Sequence, residues 1–150
     1  MLVGMTAALV QGVPGSTLDT DLWIDLPERQ YMRVINHAVR LGAQALSPNV
    51  IEFPDGSRIV FLYSVSGLRS FAQEFAAANV CEWLGLELAV LPLERIYHNK
   101  SVVGRPKDLL HMELIRTRLR GLRELAKATN APKKRPRAKR AARPKSIRRK

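Results

Sequence analysis

Two hydrophobic periods divide this chain, one of about two residues and one of about 3.6, and the places where they change predict its elements. Residues 2–4 read as the end of a strand. Thr6 to Gln11 reads as a short helix closed by Gly12, followed by the turn-forming loop Val13-Pro14-Gly15-Ser16-Thr17. Residues 19–25 read as a strand. Pro27 and Glu28 suit the first turn of a helix whose apolar positions are Tyr31, Val34, Ile35, Ala38, Val39 and Leu41. Val50–Phe53 and Arg58–Ser64 form a predicted hairpin hinged at Asp55-Gly56.

Helical spacing returns at Phe71–Ala78, and Val80–Leu84 and Glu87–Leu91 read as short strands. Pro92–Asn99 opens another helix. Pro106–Ala128 opens the last, with Leu109, Met112, Ile115, Leu119 and Leu122 on one stripe. Strands and helices mixed at this spacing predict an α/β or α+β layer fold, a small mixed sheet with flanking helices. Trp23, Trp83 and Cys81 are expected in its core.

Charge divides the chain differently. Of 25 Lys and Arg residues, eleven fall in residues 133–150, which hold no acid, leaving 14 cations against 13 acids in residues 1–132. The expectation is a folded body over 1–128 and a disordered basic tail over 129–150, with prolines at 132, 136 and 144. Basic arms of this composition bind phosphate backbones by counterion release without reading bases, so nucleic acid is the expected partner of residues 133–150. The single cysteine excludes an internal disulfide and a cysteine zinc site. No apolar run approaches the roughly 18–20 residues that span a bilayer, and residues 1–10 lack the charged start of a signal peptide. A cytoplasmic location with no membrane partner is expected. The chain opens on apolar residues from position 2, as though an element preceded them.

The residue pattern with the most chemistry is Asp19-Thr20-Asp21-Leu22-Trp23. A strand projects i and i+2 to one face, so the two carboxylates stand side by side before an apolar run. The pair is either a divalent-metal platform or a polar stretch that precedes a strand. His37, His98 and His111 share no ligand spacing and read as surface or helix-face residues. Asp25, about 13 Å along the strand from Asp21, is expected to cap or start the following helix.

Gly4 and Met5, thirteen further residues, then Asp19-Thr20-Asp21-Leu22 resemble the signature of the minimal nucleotidyltransferases, distant relatives of polymerase beta. Asn99-Lys100-Ser101-Val102-Val103-Gly104-Arg105-Pro106-Lys107-Asp108-Leu109 resembles the late motifs of their abortive-infection toxin branch, the AbiEii-like group. Arg58-Ile59-Val60-Phe61-Leu62 resembles that branch's central strand. The resemblance covers about residues 2–122. It implies a nucleotidyltransferase fold and Mg²⁺- or Mn²⁺-dependent transfer of a nucleotidyl group from an NTP to a hydroxyl, on an RNA or tRNA, with an antitoxin protein as partner.

Carried over residue by residue, it makes Asp19 and Asp21 metal ligands, sets Gly4, Ser16, Thr17 and Arg105 at the phosphates, and has Lys100 and Lys107 balance charge. Asp108 would orient a lysine or a substrate hydroxyl, and Arg105 would serve equally as the cap of the helix opened by Pro106. The chain also departs from the pattern. Val60 stands where the branch carries a third carboxylate, Met5 where it has Gly or Ser, Gly15 where it often has Arg, and His111 where it often has an acid. With Asp55-Gly56 as a two-residue turn, Glu52 pairs with Ile59 and points away from position 60; a slip of one residue would turn it toward that face. These departures set an alternative beside the enzyme: a catalytically decayed member that binds nucleic acid or a partner.

Overall fold

Seven short strands and five helices make up residues 1–130, the part of the chain that the computed structural model describes. In chain order they are β1 (Leu2–Val3), α1 (Gly4–Val10), β2 (Asp19–Trp23), α2 (Glu28–Arg40), β3 (Gln44–Ser47) and β4 (Val50–Glu52). Then come β5 (Arg58–Leu62), α3 (Phe71–Ala76), β6 (Asn79–Trp83), β7 (Leu86–Val90), α4 (Leu93–Val103) and α5 (Pro106–Asn130). The strands form one mixed sheet in the order β3-β4-β5-β2-β1-β7-β6. The architecture is α+β, as the alternation of periods predicts. α5 continues to Asn130, two residues past the expected boundary, and the basic tail lies outside the described residues.

β2 is the organising strand. It pairs antiparallel with β1 on one side and parallel with β5 on the other, with Asp19 opposite Arg58, Asp21 opposite Val60 and Trp23 opposite Leu62. Its two faces feed two apolar clusters. Trp23 joins Leu2, Val3, Val90, Ile96 and Ile115 under α1, α4 and α5. On the opposite face Phe61 and Ile51 meet Tyr31, Ile35 and Ala38 of α2. Trp23 is 2% exposed, donates from Nε1 to the Tyr63 carbonyl at 3.2 Å, and meets Phe71 edge-to-face at 5.5 Å. Burial of such a ring is a large share of a small core's stabilisation.

Several expected core positions lie outside these clusters. α2 rests on the sheet through about one residue per turn, so Val34, Val39 and Leu41 remain exposed. On α5 only the middle of the stripe is covered. Ile115 is fully buried, Met112 and Leu119 are half-buried, and Leu109 and Leu122 face water. Cys81 and Trp83 are half-buried because β6 is an edge strand. Asp25 is exposed and caps nothing: Pro27 stands at the start of α2, with no side chain bonded to the helix end. β3, absent from the sequence reading, is the other edge of the sheet.

The β4–β5 hairpin corrects the expected register. Phe53 N–H donates to the Ser57 carbonyl at 2.9 Å, so Pro54-Asp55-Gly56 is a three-residue loop rather than a two-residue turn. Gly56 takes the left-handed position such a loop requires (φ +81°), and Asp55 accepts from Ser57 N–H at 2.9 Å. Glu52 therefore lies opposite Arg58 and Val50 opposite Val60. That one-residue shift places Glu52 on the same sheet face as Asp19 and Asp21.

The β6–β7 turn holds Leu84 at φ +52°, with its side chain 82% exposed. A leucine there carries the steric cost of the left-handed region with no compensating burial. Leu84→Asn is expected to stabilise the protein by about 0.5–1 kcal/mol, because Asn-Gly is the favoured pair for this kind of hairpin turn. Urea denaturation checks this; an unchanged midpoint would show that the backbone relaxes without cost.

Candidate nucleotide and metal site

At the junction of β1 and α1 the chain turns through Gly4, whose φ is +66°. A Cβ on Gly4 would lie 1.9 Å from Asp21 Oδ2 and 2.8 Å from its carboxyl carbon. The Asp21 carboxylate thus rests directly on the Gly4 backbone, an approach open only to glycine on both counts. The neighbouring backbone is fixed as well. Thr6 Oγ1 donates to the Asp19 carbonyl at 2.7 Å, and Asp19 N–H donates to Thr17 Oγ1 at 3.2 Å. Asp19 and Asp21 themselves face a cleft of about 400 Å³ that Gly4, Thr17, Lys100, Arg105 and Lys107 also line. Ser16 is exposed and lies outside that lining.

The pair carries the electrostatic signature of its geometry. Burial raises the Asp21 carboxyl above its ordinary range, and the Asp19 charge raises it further. Lys100, Arg105 and Lys107 pull it back down. The opposing wall of the cleft is therefore cationic, and it is built from the α4–α5 corner. Lys100 sits in the last turn of α4, the chain reverses at Gly104, and Asp108 falls in the first turn of α5.

Asp108 is fully buried and accepts four hydrogen bonds from two residues, the fourth from Arg105 Nη2 to Oδ1 at 3.3 Å. Its Oδ1 accepts from Lys100 Nζ at 3.0 Å, and its Oδ2 accepts from Arg105 Nε at 2.8 Å and from the Arg105 backbone N–H at 3.2 Å. The backbone bond is the returning half of a capping box, with Pro106 as the first helical residue. Of the two roles the sequence offered Arg105, a phosphate contact and the helix cap, the cap is formed here, and the Arg105 guanidinium also pairs with Asp108. Burial opposes the charge on Asp108, but the hydrogen bonds from Arg105 and Lys100 outweigh it and hold the carboxyl far below its usual range.

His111 joins this group, against the expectation of a helix-face residue. Lys100 Nζ lies 3.1 Å from His111 Nδ1, and burial followed by the Lys100 charge lowers the imidazole's pKa. An ammonium can only donate, so in this contact Nδ1 is the accepting nitrogen. Lys100, 5% exposed, is fixed from two sides while its end borders the cleft. His111 follows Asp108 by three residues, a helical neighbour spacing, and it stands where the resembled branch often has an acid; these are the sequence signals for its place.

On the sheet wall, Val60 lies opposite Asp21. Glu52, though on the right face, is one strand farther away and bonds Arg58. This bond, the Glu52 charge and, after them, the Asp19 charge raise the Arg58 guanidinium's pKa. Met5 lines the cleft at 6% exposure, with its bulk taken up by the main core.

The donor set can be tested against the expected ion. Two carboxylates on one face supply hard oxygens, and Mg²⁺ binds through one or two carboxylates together with substrate phosphates and water. Neither carboxylate accepts a hydrogen bond from a side chain among the described residues, so both are available. No cluster of three or more His, Cys, Asp and Glu residues forms among the described residues. The residues fit an ion completed by a phosphate-bearing ligand, and not an all-protein cage. No family model matches the chain, and no curated protein matches it. No described helix is long and apolar enough to cross a membrane.

Proposed function

We propose that the cleft binds a nucleoside triphosphate with Mg²⁺ or Mn²⁺ and transfers its nucleotidyl group to a hydroxyl, on the nucleotidyltransferase fold that the sequence motifs resemble. The observation that carries this reading is the two-sided charge of the cleft. Asp19 and Asp21 form one wall, and Lys100, Arg105 and Lys107 act on Asp21 from the other. A metal-bound triphosphate needs both kinds of wall, because the ion is held by carboxylates and the remaining phosphate charge by cations. Asp19 and Asp21 would hold the ion, which would neutralise the phosphates and orient them for in-line attack. Lys100, held by Asp108 and His111, would present a fixed ammonium to phosphate oxygens. Arg105 and Lys107 would add charge, Gly4 would admit close approach, and an RNA held by the basic arm would supply the hydroxyl.

One observation favours a second reading, a member of this fold that binds without turnover. Val60 occupies the register position opposite Asp21, where a third carboxylate would complete the site. A single set of measurements separates the two. Mg²⁺ with an NTP is expected to raise the melting temperature of the parent, and Asp19→Asn with Asp21→Asn to abolish the rise. Without ligand, the same double variant should melt higher than the parent, since it relieves a carboxylate held unfavourably charged. Binding accompanied by transfer of label from NTP to RNA is the enzyme; binding without transfer is the second reading. No metal-dependent nucleotide shift in the parent would exclude the enzyme and leave only a member that binds nucleic acid or a partner.

A further inference from the structure

The surface of α5 turned away from the cleft carries a second cationic feature. Arg116, Arg120, Arg123 and Lys127 recur at helical spacing and line one groove of about 610 Å³ between α4 and α5. All four are exposed. Arg118, between them in sequence, is not part of the row, because its guanidinium donates to the Gln11 carbonyl at 3.0 Å and ties α5 to α1. Arg116 is positioned by Glu113 at 3.0 Å and by the Tyr97 hydroxyl at 2.6 Å, and Lys127 pairs with Glu124 at 2.8 Å. Arg120 and Arg123 make no ion pair among the described residues.

The row leads into the arm. Glu124 is the last acid of the sequence; Lys127 follows it and then the eleven cations of residues 133–150. From Arg116 to Lys127 the helix rises about 16 Å at ~1.5 Å per residue. Along the axis of a B-form duplex that length spans roughly five phosphates of one strand, at ~3.4 Å of axis each. Glu94 and Glu124 also border the groove, which favours a partner gripped along its backbone over one that fills the groove.

We infer that this face of α5 is an ordered contact for the phosphodiester backbone of a nucleic acid, continuous with the basic arm. It extends the arm's reading onto the folded body and does not depend on the transfer reaction. The arm supplies long-range attraction, and the helix fixes where the strand lies on the body. Exposed guanidiniums with no acid partner are suited to phosphate oxygens, which they meet with paired donors.

The test keeps the full chain, arm included, so that the difference reports the helix. Arg120→Gln with Arg123→Gln disturbs no ion pair. Anisotropy titrations with single-stranded RNA across salt concentrations should show the log K against log salt slope flattened by about 1.4, two contacts at ~0.7 each. A fourfold variant that adds Arg116→Gln and Lys127→Gln should lose about 2.8. Circular dichroism confirms that each variant is folded, and the double variant decides the matter if the fourfold one is not. An unchanged slope in the folded double variant overturns the inference. Weakened binding to phosphatidylserine vesicles with unchanged RNA binding also overturns it, in favour of a lipid surface.

Discussion

Gly4→Ala is expected to destabilise the protein by roughly 2–5 kcal/mol, the sum of a residue forced into the left-handed region and of overpacking. Few exchanges of hydrogen for methyl should cost as much outside a closed core. The cause is local: the new Cβ would meet Asp21 Oδ2 at 1.9 Å, while Gly4 holds φ at +66°. The two contributions can be separated. Asp21→Ala deletes the colliding carboxylate but leaves the backbone angle and a Cβ at 3.0 Å, so Gly4→Ala in that background should cost the conformational part and only a small remainder of the overpacking. A double-mutant cycle in urea should therefore show coupling of at least about 1 kcal/mol between positions 4 and 21. Additive effects would mean that the carboxylate swings aside freely, and the close fit of Gly4 and Asp21 would be incidental. Metal-nucleotide binding should fall with stability in Gly4→Ala, because the carboxylate it displaces is one of the proposed ligands.

Lys100→Met is expected to destabilise by about 3–5 kcal/mol, the cost of leaving a buried charge without one of its partners. Asp108 is fully buried, and Arg105, with a half-exposed side chain, is its remaining cation. Lys100→Met combined with Asp108→Asn should recover more than half of the loss, since the amide oxygen still accepts from Arg105 and no buried charge is left. The pH dependence has a definite sign. The Asp108 carboxyl is held below its unfolded value, so its contribution is fully present above about pH 5 and declines as pH falls through the unfolded value toward the folded one. Losing Lys100 raises that folded value. The stability gap between parent and Lys100→Met should then be constant above about pH 5 and narrow in more acid solution. A gap that widens toward acid would show that the pair does not hold Asp108 ionised.

The sequence carried the elements well where periodicity was long, and the shared face of Asp19 and Asp21 by their i, i+2 spacing alone. It failed where side chains meet across distance. Nothing in residues 44–47 alternates, because an edge strand bonded on one side needs no apolar face, and so β3 was unreadable. Leu109 and Leu122 keep helical spacing with Ile115, yet periodicity cannot say how far along a helix its neighbours extend. The Glu52 register turned on one residue of loop length, which was settled by Gly56 adopting the left-handed position after a turn, while Asp-Gly also suits the shorter loop. His111 is the instructive case. Its helical phase with Asp108 was visible, but its meaning required Lys100, contributed by another helix across the Gly104 corner. The relation between Gly4 and Asp21 was likewise hidden, since a glycine in sequence does not reveal whose carboxylate it accommodates.

The position of β1 also governs when this molecule can become whole during synthesis. β1 lies between β2 and β7, and the cationic wall comes from residues 100–111, so the carboxylate pair leaves the ribosome long before its counter-charges. Asp21 precedes Lys100 by 79 residues, which at 5–20 residues per second is a delay of about 4–16 s. For most of that interval one side of β1 has no partner strand, because β7 comes only at Leu86–Val90, and the mutual repulsion of the two acids is not offset by Lys100, Arg105 and Lys107. The nascent chain can complete the α2 side of the sheet early, from residues 19–62, whereas the cleft closes only when α4 and α5 arrive. Among the described elements, the site is therefore among the last parts to be assembled.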